Sequence, residues 1–108
     1  MAIFEYKGID FYYKDDGGDV FPFIFLHGLG GDVNQTLGLI EKEEGIRRIS
    51  IDFRGHGKTI KFGNEDDFSF NTFADDVVAL IQNLKLEKVN LGGISTGAGV
   101  ALNICLRY

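Results

Sequence analysis

A chain of 108 residues holds one domain and leaves no room for a second. With 44% hydrophobic and 25% charged residues it has the make-up of an ordinary soluble globular protein, and no run approaches the ~20 apolar residues needed to cross a bilayer. The net charge of −5, spread along the chain rather than in blocks, argues against a nucleic-acid partner, and the start Met1-Ala-Ile-Phe-Glu-Tyr-Lys7 has no basic segment leading into a long apolar run, so a cytoplasmic protein is expected.

Alternating apolar residues predict a hairpin over 3–14, with Ile3–Tyr6 and Ile9–Tyr13 as strands and a turn near Lys7-Gly8. Asp15-Asp-Gly-Gly-Asp19 is a polar loop. After the only proline, Pro22, the run Phe23-Ile-Phe-Leu26 predicts a strand buried on both faces, as in a parallel sheet. His27-Gly-Leu-Gly-Gly-Asp32 is a glycine-rich loop, and residues 33–44 have room for a short helix carrying Leu37 and Ile40. The next strand runs from Ile46 to Phe53, with Ile49, Ile51 and Phe53 on one side, and leads into the charged loop Asp52-Phe-Arg-Gly-His-Gly57. Residues 58–68 are polar and acidic without a clear period. Phe73, Val77, Leu80, Ile81 and Leu84 then form one stripe at helical spacing, with Ser69 or Asn71 as cap and Asp75 and Asp76 near the positive end of the helix dipole. Lys85–Lys88 turns the chain into a short strand bearing Val89 and Leu91. The last helix carries Val100, Ala101, Ile104 and Cys105 on an apolar face, where the single cysteine is expected to be a buried small hydrophobe. Strands alternating with helices imply α/β architecture with a parallel sheet.

Between that last strand and helix stands Gly93-Ile-Ser95-Thr-Gly97, a G-x-S-x-G pattern. Its physical content is a sharp strand-to-helix elbow that strains the backbone of the central residue. Gly93 and Gly97 are required because a Cβ at either would collide with the crossing elements. The serine hydroxyl then projects at the carboxyl end of a strand, and the Thr96 N–H, in the first turn of the helix, faces the same space. The blander reading makes Ser95 an ordinary helix N-cap in a glycine-rich turn.

Three motifs stand in order on this pattern: His27-Gly28 after one strand, Asp52-x-Arg54-Gly55-His56-Gly57 after the next, and Gly93-x-Ser95-x-Gly97 after the third. Together with the hairpin Tyr6–Tyr13 and the helix segment Phe73-Ala-Asp-Asp-Val77, they resemble the amino-terminal half of the α/β-hydrolase fold family, over nearly the whole of residues 1–108. The resemblance implies that Ser95 is the nucleophile and that the backbone N–H groups of Leu29 and Thr96 form the oxyanion hole. It also implies that Gly28, Gly30 and Gly31 let the loop approach substrate, and that His27 and the Arg54–Gly57 loop are supporting structure rather than bases. No metal or organic cofactor is implied.

In that fold the catalytic acid and histidine follow the serine in the chain, whereas this sequence ends one helix after Ser95. A serine without a base stays protonated and is a poor nucleophile. The expectation is therefore a serine hydrolase of ester-type small molecules that is nearly inert as these 108 residues, with an exposed sheet edge open to a second copy or a complementary chain. The alternative is a non-catalytic interaction protein that uses the same edge. A nucleotide-binding reading of Gly28–Gly31 lacks both the G-x-G-x-x-G spacing and a following lysine.

Overall fold

The computed structural model describes residues 1–108, in a five-stranded mixed sheet with three α-helices. Strands β1 (Ala2–Tyr6) and β2 (Ile9–Asp15) form the hairpin, followed by β3 (Phe21–Leu26), α1 (Val33–Leu37), β4 (Ile46–Ile51), α2 (Phe70–Asn83), β5 (Asn90–Gly93) and α3 (Thr96–Arg107). The spatial order is β1-β2-β4-β3-β5. Antiparallel pairing carries the hairpin onto β4, and β4, β3 and β5 run parallel to one another.

Local chemistry accounts for most of these boundaries. Lys7 and Gly8 both adopt positive φ, 51° and 79°, the two-residue turn whose twist matches that of flanking strands. The period of two then turns Phe4, Ile9, Phe11 and Tyr13 inward, and Phe4 stacks on its cross-strand partner Phe11 at 5.3 Å between ring centres. Ser69, not Asn71, caps α2, its hydroxyl accepting from the Thr72 N–H at 3.1 Å. The helix buries Phe73, Ala74, Asp76, Val77 and Leu80.

The core lies on one face of the sheet. There Ile24, Leu26, Ile49, Ile51 and Phe53 meet Phe73, Val77 and Leu80 of α2 and Val100, Ala101 and Ile104 of α3. Strand alternation sends Ser50, Phe23 and Phe25 to the opposite face, where only α1 packs. β5 pairs with β3 alone and forms an edge of the sheet. No helix is long and apolar enough to cross a membrane.

Three expectations are corrected. The helix after the glycine loop covers only Val33–Leu37 and buries Val33 and Thr36, leaving Leu37 and Ile40 half-buried. Its inward contact is polar, because the Thr36 and Ser50 hydroxyls pair at 2.7 Å, and an apolar stripe therefore does not mark it. Asp75 and Asp76 lie beyond the first turn of α2 and pair with arginines instead of the helix dipole. Cys105 is exposed: the buried stripe of α3 is Gly97, Val100, Ala101 and Ile104, and Cys105 lies beside it on the side that no element covers.

Candidate active site

Loops at the carboxyl ends of β3, β4 and β5 converge on the elbow. Ser95 has φ 53° and ψ −111°, a backbone conformation that side-chain-bearing residues avoid. The crossing is tight. A Cβ on Gly97 would overlap the carbonyl oxygen of Leu26, and one on Gly93 would overlap the Gly97 backbone. The elbow is closed by the Ile94 N–H, which donates to the Leu26 carbonyl at 3.0 Å, and by the Gly97 N–H, which donates to Ile94 at 2.8 Å. Although Ser95 occupies the N-cap position of α3, its side chain makes no capping bond. The hydroxyl is exposed and unspent, which removes the reading of Ser95 as an ordinary cap.

The His27 loop meets this elbow from β3. Gly28 lies against it, and a Cβ there would sit 3.3 Å from the Ile94 carbonyl oxygen and 3.7 Å from the Ser95 Cβ. His27 is fully buried. Its Nε2 accepts the Phe53 N–H at 3.0 Å, so the ring proton resides on Nδ1, which donates to the Gly28 carbonyl at 2.7 Å. Burial pushes its pKa below the ordinary value, so the neutral ring is the stable form. With both nitrogens occupied, His27 is no base.

The Gly28 carbonyl also accepts the Gly31 N–H at 2.9 Å. In a trans peptide the carbonyl of one residue and the N–H of the next point in opposite directions. Anchoring the Gly28 oxygen twice therefore fixes the Leu29 N–H on the other side of the loop. Gln35 adds a third tie, accepting the Gly28 N–H at 2.8 Å. Gln35 was not foreseen, since nothing in residues 33–44 distinguishes it from a solvated glutamine.

The β4 loop is scaffolding. Asp52 accepts the Val33 N–H and the Lys58 N–H, both at 2.9 Å, linking α1 to the far side of the loop. Arg54 grips both carboxylate oxygens of Asp76 on α2, at 2.7 and 2.8 Å, and this buried pair holds the guanidinium charged more firmly than usual. His56 is buried too, its Nδ1 3.0 Å from the Arg54 carbonyl.

Residues 22–108 match the family described as alpha/beta hydrolase fold. The chain belongs to the α/β-hydrolase fold family. It is 38% identical over 94 residues to a non-heme chloroperoxidase of Kitasatospora aureofaciens, covering 85% of this chain and 33% of that one. A bifunctional esterase/perhydrolase of Acinetobacter calcoaceticus is 34% identical over 104 residues, covering 94% of this chain and 37% of its own length. Among solved structures, an epoxide hydrolase of Vigna radiata superposes with a TM-score of 0.82 at 28% identity, over 98% of this chain and 35% of that chain. This α/β-hydrolase chain thus spans about a third of the length of the curated relatives it matches. Its five strands and three helices are part of the whole fold.

Proposed function

We propose that these residues supply the nucleophile and the oxyanion hole of a serine hydrolase acting on carboxylic esters. The observation that carries this reading is the uncapped, exposed Ser95 hydroxyl on a strained elbow, beside a Leu29 N–H held in direction by the anchored Gly28 carbonyl. Ser95 Oγ attacks the ester carbonyl carbon and gives its proton to a base. The Leu29 and Thr96 N–H groups stabilise the oxyanion of the tetrahedral intermediate, a contribution of about 2.7–4 kcal/mol for one such donor. Collapse breaks the bond to the alcohol oxygen, which takes up the proton, and water then releases the acid from the acyl-enzyme. The relative named as a bifunctional esterase/perhydrolase supports an ester substrate.

The base lies outside the groups described. His27 has no free nitrogen and His56 is buried against its own loop, so the 108 residues by themselves are close to inert. Imidazole added in solution supplies the missing base. With a fluorophosphonate probe, the expected result is little adduct without imidazole and a growing adduct on Ser95 with it, read by mass spectrometry and lost in Ser95→Ala. A folded chain that never labels at Ser95, or that labels other serines equally, refutes the nucleophile assignment.

A second reading is favoured by one feature: β5 is an unpaired edge, and Leu102 and Leu106 are exposed on the adjoining α3. This surface suits a second copy or a complementary chain that continues the sheet. Sedimentation that gives one defined complex, without ester hydrolysis on adding imidazole, supports a binding module over a hydrolase; a monomer at all concentrations counts against it.

A further inference from the structure

A hollow of about 360 Å³ opens beside Ser95, lined by Leu29, Phe68, Ser69, Phe70, Phe73 and Thr96. The two residues whose N–H groups form the proposed oxyanion hole are thus both in its wall. A carbonyl oxygen held between them places the adjoining carbon chain in the hollow. The remaining wall is three phenylalanines and one serine, with no charged side chain among the lining residues. The volume is near the lower end of the ~300–1,000 Å³ typical of small-molecule sites.

The phenylalanine wall is held from several directions. Phe73 is buried and stacks on Phe53 at 5.0 Å between ring centres. Phe68 meets Phe73 edge-on at 5.9 Å and His56 at 6.4 Å. Gly55, at φ 74°, makes room for that ring, because a Cβ would stand 2.8 Å from Phe68 Cζ. Phe70 lies across α3, where a Cβ on Gly99 would come within 2.6 Å of its ring. The Asp52–Gly57 loop and the first turn of α3 therefore shape this wall. A larger hollow of about 670 Å³ lies between the hairpin turn and α2, and its wall is charged with both signs: Lys7, Arg54, Lys61, Asp67, Asp75 and Asp76.

We propose that the smaller hollow is the specificity subsite of the esterase reading on which this inference rests, and that it takes an uncharged, apolar group of modest size, an aryl ring or a branched alkyl chain, attached to the scissile carbonyl. A carboxylate or ammonium there would find no charged partner in the wall and would give up part of its water to the phenylalanine rings.

Ketones test this without any chemistry at Ser95, because they cannot be hydrolysed. Phenylacetone is the apolar probe and levulinate the charged one, each titrated into the 108-residue chain and followed by amide NMR shifts. Phenylacetone is expected to move the Leu29, Phe68, Phe70 and Thr96 amides saturably, and levulinate to leave them still. Phe70→Asp places a favourable acidic residue in the first turn of α2 and so preserves the helix, but it should weaken phenylacetone about tenfold or more. Leu39→Asp, at an exposed position outside the hollow, should not. Equal response to both ketones, shifts that map elsewhere, or indifference to Phe70→Asp overturns the subsite. Ketone binding with no imidazole-dependent labelling removes the hydrolase reading, and the substrate role of the hollow falls with it. Labelling without ketone preference removes the subsite alone.

Discussion

His27 gives its single ring proton to the carbonyl oxygen of Gly28, 2.7 Å away, and so sets the direction of the next N–H along the chain, that of Leu29. This bond needs the neutral ring with its proton on Nδ1, because Nε2 accepts from Phe53. Burial lowers the folded-state pKa beneath the ordinary 6.5, so over the interval between the two values the unfolded chain binds more protons than the folded one. Stability from this group is therefore fully present above about pH 6.5 and lost as the pH falls from there toward the folded-state pKa. Imidazole NMR should report a His27 pKa below 6.5, and urea midpoints should fall on acidification through that range. Replacement by Gln should remove this part of the pH dependence. A His27 that titrates at or above 6.5 contradicts the assignment.

Strain at Ser95 should be measurable as stability. A non-glycine residue in so sparse a backbone region costs about 1–3 kcal/mol. Ser95→Gly relieves that cost but adds freedom to the unfolded chain, an offset of about 0.4–1 kcal/mol. The glycine variant is expected to be at least as stable as the parent in urea, whereas Ser95→Ala keeps the strain and gains nothing. A glycine variant clearly less stable than the alanine one would show that the elbow is unstrained.

Two glycines near the site should respond differently to alanine. At Gly97 the new methyl would overlap the Leu26 and His27 carbonyl oxygens, which belong to the β3 strand end and cannot swing away. Overpacking of this kind costs about 1–3 kcal/mol and occasionally more, and Gly97→Ala belongs at the upper end. Gly30 has φ 79° and open space around it, so its alanine variant meets no overlap and takes on only the strain of a left-handed backbone, about 1–2 kcal/mol. Urea unfolding of the two variants should rank them in that order, and equal losses would place the crossing of β3 and α3 wrongly.

What was legible in the sequence depended on whether one residue type alone could satisfy the local geometry. The elbow was legible because Gly93 and Gly97 flank Ser95 at the spacing a strand-to-helix crossing needs, and the hairpin because Lys7-Gly8 accepts positive φ. The α2 stripe was legible because five apolar residues share one face. Where burial is polar or contacts are distant in sequence, the pattern was silent. Thr36 goes inward to meet Ser50, Gln35 turns back to Gly28, and Phe68, from a stretch without a period, joins Phe70 of α2 in walling the hollow beside Ser95. Cys105 misled because an apolar residue next to a buried stripe is buried only when something covers that side of the helix.

Asp76 is the clearest case of a residue whose partner the sequence conceals, and its energetics can be separated experimentally. Arg54 and Asp76 are both buried; the Asp76 carboxylate is compensated by Arg54, while the guanidinium also reaches Asp67 at 3.7 Å. Removing one partner alone strands a buried charge, at about 3–5 kcal/mol. Asp76→Leu should therefore destabilise strongly, and Arg54→Met should do so by stranding the carboxylate. The double variant should recover most of the loss, since an apolar pair of similar volume replaces a pair whose attraction only roughly repays its desolvation. Urea unfolding of the four proteins gives the coupling directly. Additive losses in the double variant would mean that Arg54 matters chiefly through its other contacts, the Phe62 carbonyl at 3.2 Å and Asp67 at 3.7 Å, which hold the loop that leads to Phe68.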